Sequence, residues 1–408
     1  MLECFLYVSQ PKRVLPSARI RYNGGKQKEE SPMSEKSEDA VLERLLKPLR
    51  EAVERKWTPG AAAAVHVRGA SWSVAVGATS SEPADARPVG ADTLYDCASL
   101  TKVAATLPLT LRLAAEGRLR LDEPASRLLP ELAAGPSCGV TIRQLLAHTS
   151  GLPSSENLHS PPAPLAEALR RIAARDLRAE PGTSAVYSDI GFLLLGELAS
   201  RAAGLPLDEA VRSLVWEPLG MERTSYGLRA EERPVCAPTE RDAASGRFWQ
   251  GVVHDENARA LGGVAGHAGM FSTAQDLLRY AAMWLGEPPA GAAASGDALA
   301  SAAAAAEVLP EPIRREALRL QTSGRDEERR GLGWVLRGDK ADCFGSLASG
   351  SAFGHTGFTG TSLMVDPERG LAVVLLTNRV HFGRGVDLGP LRREFHDAAC
   401  RLADELPG

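Results

Sequence analysis

The β-rich runs of this chain lie at its two ends, and that placement restricts the fold more than any other feature. Ala61 to Val67 and Ser71 to Gly77 are joined by Arg68-Gly69-Ala70, while Ser362 to Val365 and Leu371 to Thr377 are joined through Asp366-Pro367-Glu368-Arg369-Gly370. Both pairs read as hairpins, because short glycine-bearing turns separate strand-forming residues. Gly331 to Arg337 reads as a further strand. From about residue 116 to 330 helical spacing dominates instead. Strands at both termini bury their faces economically only by joining into one antiparallel sheet, with the intervening helices inserted as a block. The expected fold class is α/β of the α+β type, a terminal-strand sheet flanked by helices. Residues 39–115 and 331–408 make its α/β part, and 116–330 the helical part.

Helix candidates follow from apolar spacing. Val41, Leu42, Leu45, Leu46, Leu49 and Val53 place one between Asp39 and Arg55, with a kink expected at Pro48. Others are Leu165 to Arg175, Tyr187 to Ala203 closed by Gly204, Asp276 to Leu285 and Leu391 to Leu406. Pro108 predicts a kink or break in the Ala-rich run after Ser99. Residues 1–38 are expected to form a disordered leader, polar and charged from Gln10 onward, with Met33 a second candidate start. Pro288 to Ala306 is an Ala/Gly/Ser-rich insert of low complexity, expected at the surface.

Charge and apolar runs narrow the partners. A net charge of −4, from 47 basic and 51 acidic residues, offers no electrostatic footprint for nucleic acid or an anionic membrane. No stretch approaches eighteen consecutive apolar residues. The short apolar run at Met1 to Val8 is followed by basic residues rather than preceded by them, the wrong order for a secretory signal. A cytoplasmic location is the resulting expectation. Six scattered cysteines without a C-x-x-C pair read as free thiols. The sequence does not give the oligomeric state.

Ser99 and Lys102 open a helical run three residues apart, so their side chains share a face. A serine becomes a nucleophile when a base takes its proton, and a lysine can do so if burial keeps it neutral. Free N–H groups at the same helix start can stabilise an oxyanion. Tyr187-Ser188-Asp189 precedes a helix, where a tyrosine held by a lysine can accept a proton, or where Ser and Asp merely cap. Gly354-His355-Thr356-Gly357-Phe358-Thr359-Gly360 is dense in glycine, which suits either close backbone approach to a ligand or an ordinary turn.

Taken in order, Ser-x-x-Lys, Tyr-Ser-Asp and His-Thr-Gly resemble the serine β-lactamase and penicillin-binding-protein superfamily. The closest resemblance is to the class C β-lactamase-like branch, which includes esterases, D-aminopeptidases and DD-peptidases. His148-Thr149-Ser150-Gly151-Leu152-Pro153 and Gly262-Gly263-Val264-Ala265-Gly266-His267-Ala268-Gly269-Met270-Phe271-Ser272-Thr273 look like the same branch. The resemblance implies that Ser99 attacks a carbonyl, that Lys102 and Tyr187 share the base role, and that the N–H groups of Ser99 and Phe358 form the oxyanion hole. Asp189, His355, Thr356 and Gly357 would then bind substrate. It further implies a small-molecule ester or amide as substrate, hydrolysed through an acyl-enzyme without metal or organic cofactor.

Two positions depart from the pattern of many β-lactamases, Asp189 standing for Asn and His355 for Lys. An ionised Asp189 only accepts hydrogen bonds, so it is expected to hold Lys102 as a cation and move the base role to Tyr187. His355 weakens the grip on a substrate carboxylate, which speaks against efficient β-lactam turnover. A carboxylesterase-type activity is favoured. The same two departures motivate the alternative, a catalytically idle ligand-binding or sensor protein. His148 reads as a turn-stabilising hydrogen bonder. His254-Asp255 and His267 lack helical metal-site spacing, and no Gly-x-Ser-x-Gly occurs. Trp249, Trp284 and Trp334 read equally as core or cleft wall.

Overall fold

The computed structural model describes residues 35–286, 306–322 and 328–406. Most of the polar leader and of the low-complexity insert lies outside them. Strands β1 (Gly60–Val67) and β2 (Ala70–Gly77) pair antiparallel, with Val67 opposite Ala70. Arg68 and Gly69 have φ values of 45° and 89°, the left-handed conformations that a two-residue hairpin turn requires.

β1 then pairs with the far end of the chain. Ala61 lies opposite Thr377, and Val67 opposite Leu371, on β9 (Leu371–Thr377). β8 (Ser362–Asp366), β7 (Phe353–Thr356) and β6 (Val335–Leu336) continue the sheet, in the order β2-β1-β9-β8-β7-β6 with every pair antiparallel. The expected strand from Gly331 to Arg337 shrinks to two residues. The N–H groups of Leu332 and Gly333 are diverted to Ala317 and Leu146 carbonyls, which ties the sheet edge to the helical part.

Side-chain alternation divides the core in two. Ala61, Ala63, Val65 and Val67 face helix α1 (Glu35–Glu54) and the C-terminal helix Gly389–Glu405, along with Val373 and Leu375. Ala62, Ala64, Val374 and Leu376 face the helical part. β1 is therefore buried along its whole length, and its small side chains let helices approach both faces of the sheet. Pro48 lies within α1, which runs through it as one helix starting at Glu35, inside the stretch assigned to the leader.

The break expected near Pro108 does not occur. Lys102–Thr106 form a π-helical turn that passes directly into α2 (Leu107–Ala115), with Pro108 in the first turn of α2, where a missing N–H costs least. Carbonyls in the wide turn find donors elsewhere. The Trp216 indole N–H donates to the Ala104 oxygen at 2.9 Å, and the Tyr280 hydroxyl donates to the Val103 oxygen.

The helical part contains α3 (Ile142–Leu146), α4 (Leu165–Ala173), α5 (Asp189–Ala203), α6 (Leu207–Val211), α7 (Glu256–Ala260) and α8 (Ala274–Leu285). The Tyr187 to Ala203 expectation is trimmed at its start, since Ser188 is the cap and Tyr187 lies outside the helix. Residues 217 to 255 are mostly turns, contrary to the helical expectation. A second sheet, unforeseen in the sequence, joins β3 (Tyr95–Asp96), β4 (Ser225–Tyr226) and β5 (Met270–Ser272) in the order β3-β5-β4. Trp284, Trp334 and Phe353 pack edge to face with centroids 5.1–5.8 Å apart, so these two tryptophans are core rather than cleft wall.

Helix α5 and the 264–269 segment meet through two glycines. A Cβ on Gly196 would stand 2.7 Å from the Gly266 Cα, and one on Gly266 would collide with the Phe192 carbonyl oxygen. Replacing Gly266→Ala is expected to destabilise the protein by about 1–3 kcal/mol through overpacking against backbone that cannot yield. Thermal or denaturant unfolding measures it, and an unchanged midpoint contradicts this packing.

Candidate active site

The turn that presents Ser99 is built by a buried carboxylate. Asp96 Oδ1 accepts from the Ala98 N–H at 2.8 Å, and Oδ2 from the His254 N–H at 2.7 Å. Ala98 sits at φ 45°, an uncommon conformation for a residue with a Cβ, which the flanking hydrogen bonds impose. The Leu100, Thr101 and Lys102 N–H groups then close successive turns on Cys97, Ala98 and Ser99. Ser99 stands half-buried immediately before the helix.

Lys102 is fully buried and spends its protons on three groups. Its Nζ donates to Ser99 Oγ at 3.1 Å and to the His267 carbonyl at 3.0 Å, and it pairs with Asp189 Oδ1 at 2.7 Å. A hydrogen bond to Tyr187 competes for the same protons, and the Tyr187 ring centroid is 5.0 Å away. Burial alone pulls the lysine's pKa down. The charges and hydrogen bonds of Asp189 and Tyr187 outweigh it and lift the pKa above the ordinary lysine value. The contact with Asp189 thus favours the ammonium over the neutral lysine that a Ser-Lys base would need.

Tyr187 and Asp189 are placed by the 148–154 loop. The Val186 N–H bonds the His148 carbonyl at 2.8 Å, and the Ser188 N–H bonds His148 Nδ1 at 3.1 Å. Ser188 Oγ donates to the Pro153 carbonyl at 2.7 Å and accepts from the Gly191 N–H, capping α5. The Asp189 N–H bonds the Ser154 carbonyl at 2.7 Å. His148 is thus a bracket for this segment, with its ring 4.6 Å from that of Tyr187.

His355 and Thr356 end β7, and the glycine after them is required by contact. A Cβ on Gly357 would lie 2.5 Å from the Cys97 carbonyl oxygen and collide with Thr361 Oγ1. Thr359 Oγ1 donates to the Asp96 carbonyl at 2.7 Å, and Thr361 Oγ1 to that of Cys97 at 3.1 Å. The β7–β8 loop is thereby pinned beside the Ser99 turn. The N–H groups of Ser99 and Phe358 make no hydrogen bond within the described protein. The Phe358 ring is exposed, stacked near His254 at 5.7 Å and under Arg379 at 4.8 Å.

His355 Nδ1 donates to the Thr356 carbonyl at 2.8 Å, and its ring lies 5.9 Å from that of Tyr187. Burial, with help from Lys102 and Arg330, lowers its pKa to about 3, so it is a neutral side chain at neutral pH. All the expected site residues thus gather around Ser99. Missed in the sequence were Asp96, Thr359 and Thr361 as fasteners, and the backbone carbonyl of His267, a contribution no side-chain type announces. Among the described residues no group of three His, Cys, Asp or Glu is arranged to hold a metal ion.

The family model for beta-lactamase matches residues 42–397. The chain belongs to the beta-lactamase family. Within it, a putative D-alanyl-D-alanine carboxypeptidase of Escherichia coli (strain K12) is 31% identical over 319 residues, 71% of this chain and 70% of the relative. EstCE1, a hydrolase with promiscuous acyltransferase activity, superposes with a TM-score of 0.70 at 22% identity, covering 89% of this chain and 99% of its own. A class C beta-lactamase superposes at 0.69 and 20% identity, with 93% and 99% covered. This beta-lactamase-family serine hydrolase has, among its described residues, no single helix long and apolar enough to cross a membrane.

Burial also depresses the pKa of other imidazoles in this family member, His148 well below the usual value, and His381 and His396 to about 4. Each takes a proton on unfolding below about pH 6.5 and not in the folded state. Stability should therefore be fully present above pH 6.5 and fall as the pH drops toward 4. Melting temperatures between pH 7 and 4 measure this, and a flat profile contradicts it.

Proposed function

We propose that the protein hydrolyses a small ester or amide through an acyl-enzyme on Ser99. The observation that carries this reading is Lys102 Nζ bonded at once to Ser99 Oγ and Asp189, with the Tyr187 ring 5.0 Å away. A lysine so held is a fixed positive charge. Tyr187 is then the base: deprotonated beside the Lys102 ammonium, it takes the Ser99 proton as Oγ attacks the carbonyl and becomes neutral, then gives that proton to the leaving group and regains the negative charge that Lys102 stabilises. The free N–H groups of Ser99 and Phe358 receive the oxyanion, and their orientation is fixed before substrate arrives by Gly357, Thr359 and Thr361. Water then releases the acyl group by the reverse sequence of proton transfers.

His355, Thr356, Gly357 and Asp189 line the substrate side in this reading. A neutral His355 offers no charge to a substrate carboxylate. This supports uncharged esters over β-lactams, and a carboxylesterase-type activity over a carboxypeptidase one. The relative's name makes D-peptide amides the first competitor to test.

A fluorophosphonate probe is expected to add one adduct to the wild type and none to Ser99→Ala, read by intact-protein mass spectrometry. Tyr187→Phe should lower kcat about 10²–10⁴-fold with little change in folding. A panel of aryl esters, D-alanyl peptides and a chromogenic cephalosporin should show ester turnover dominant. Tight ligand binding with neither adduct nor turnover would instead establish the idle binding protein.

A further inference from the structure

Asp255 and His267 stand beside the proposed machinery, and the reaction as written does not use their side chains. His267 is buried, and its Nε2 lies 2.9 Å from Asp255 Oδ1, while its backbone carbonyl accepts from Lys102 Nζ at 3.0 Å. Asp255 Oδ1 also accepts from the Ala258 N–H at 2.8 Å, at the start of α7. Gly266, pressed against Gly196, fixes the backbone one residue before His267. The carboxylate and the carbonyl are therefore rigidly connected through one imidazole.

We propose that Asp255 is a positioning residue for Lys102, an anion that, with His267, forms a second support holding the ammonium charged and in place against Ser99. The inference rests on the reading of Lys102 as a fixed cation. Asp189 supports the lysine by direct contact from the start of α5, and Asp255 from the opposite segment through the His267 backbone. The other titratable groups facing Lys102 are Tyr187 ahead of α5, His148 in its loop and His355 on β7. Both of these imidazoles are neutral, so Asp189 and Tyr187 act on the lysine from contact, and Asp255 adds its charge through space. Burial raises the Asp255 pKa, but His267, the Ala258 N–H and Lys102 outweigh it and hold the carboxyl well below the carboxylate range.

The bland role for Asp255 is that of a helix cap, and one substitution separates the two. Asn caps as well as Asp and can still accept from His267, so Asp255→Asn removes the charge and leaves the cap. Lysine-selective NMR at neutral pH, with the Lys102 signal assigned by its loss in Lys102→Met, reads the surroundings of Nζ. In Asp255→Asn the Lys102 signal is expected to shift and broaden as the ammonium loses one of its two supports, and kcat to fall about tenfold with KM little changed, while the melting temperature stays within a degree or two. A Lys102 signal that matches the wild type overturns the proposal. The NMR readout does not depend on turnover, so a failure of Ser99 to take the fluorophosphonate would sink the hydrolase mechanism while leaving this test decisive.

Discussion

A buried lysine head group is costly to keep out of water, and the surrounding structure is arranged to compensate it. Taking a lysine head group out of water carries a penalty of several kcal/mol unless its protons and its charge are both met. Lys102 has no water-facing surface. Its partners come from separate segments: Ser99 from the turn ahead of its own helix, Asp189 from the first residue of α5, and the His267 carbonyl from the loop before β5. None of these segments neighbours another in sequence, so the lysine acts as the tie between them.

That arrangement explains otherwise scattered details. The π-helical turn at Lys102–Thr106 widens the helix where the lysine departs from it, and Trp216 and Tyr280 repair the carbonyls it leaves open. Glycines occur where backbone must touch backbone, Gly196 against Gly266 and Gly357 against Cys97, and each contact brings one wall of the cleft to its working distance. The threonines flanking Gly360 fasten the β7–β8 loop to the residues just ahead of Ser99. Stability and site geometry therefore rest on the same contacts.

The terminal hairpins and the long helices could be read from the sequence because their signals are local: a glycine turn between β-branched runs, or apolar residues at helical spacing. The Ser99, Lys102, Tyr187 and Asp189 motifs were legible as candidates for another reason, since the proposed chemistry requires those side-chain types. What escaped depends on distant backbone. A two-residue strand such as Tyr95–Asp96 carries no periodicity, and the carbonyl of His267 looks like any other. Pro108 misled because the proline rule describes an α-helix, and the wider turn before it had already changed the hydrogen-bond pattern. Gly331 to Trp334 misled because its polar backbone is committed to Ala317 and Leu146, residues that no local pattern connects to it.

The pairing of β1 with β9 has a consequence for how the chain is made. Val65 finds its partner at Val373, so on the ribosome the β1–β2 hairpin emerges with one edge open and keeps it open until β9 has been synthesised. The helical block can collapse in the meantime, since its contacts are closer in sequence, but the edge of β1 that pairs with β9 stays open until that strand arrives. Synthesis order and assembly order are opposed here, and the nascent chain carries an exposed, alanine- and valine-rich edge until β9 emerges.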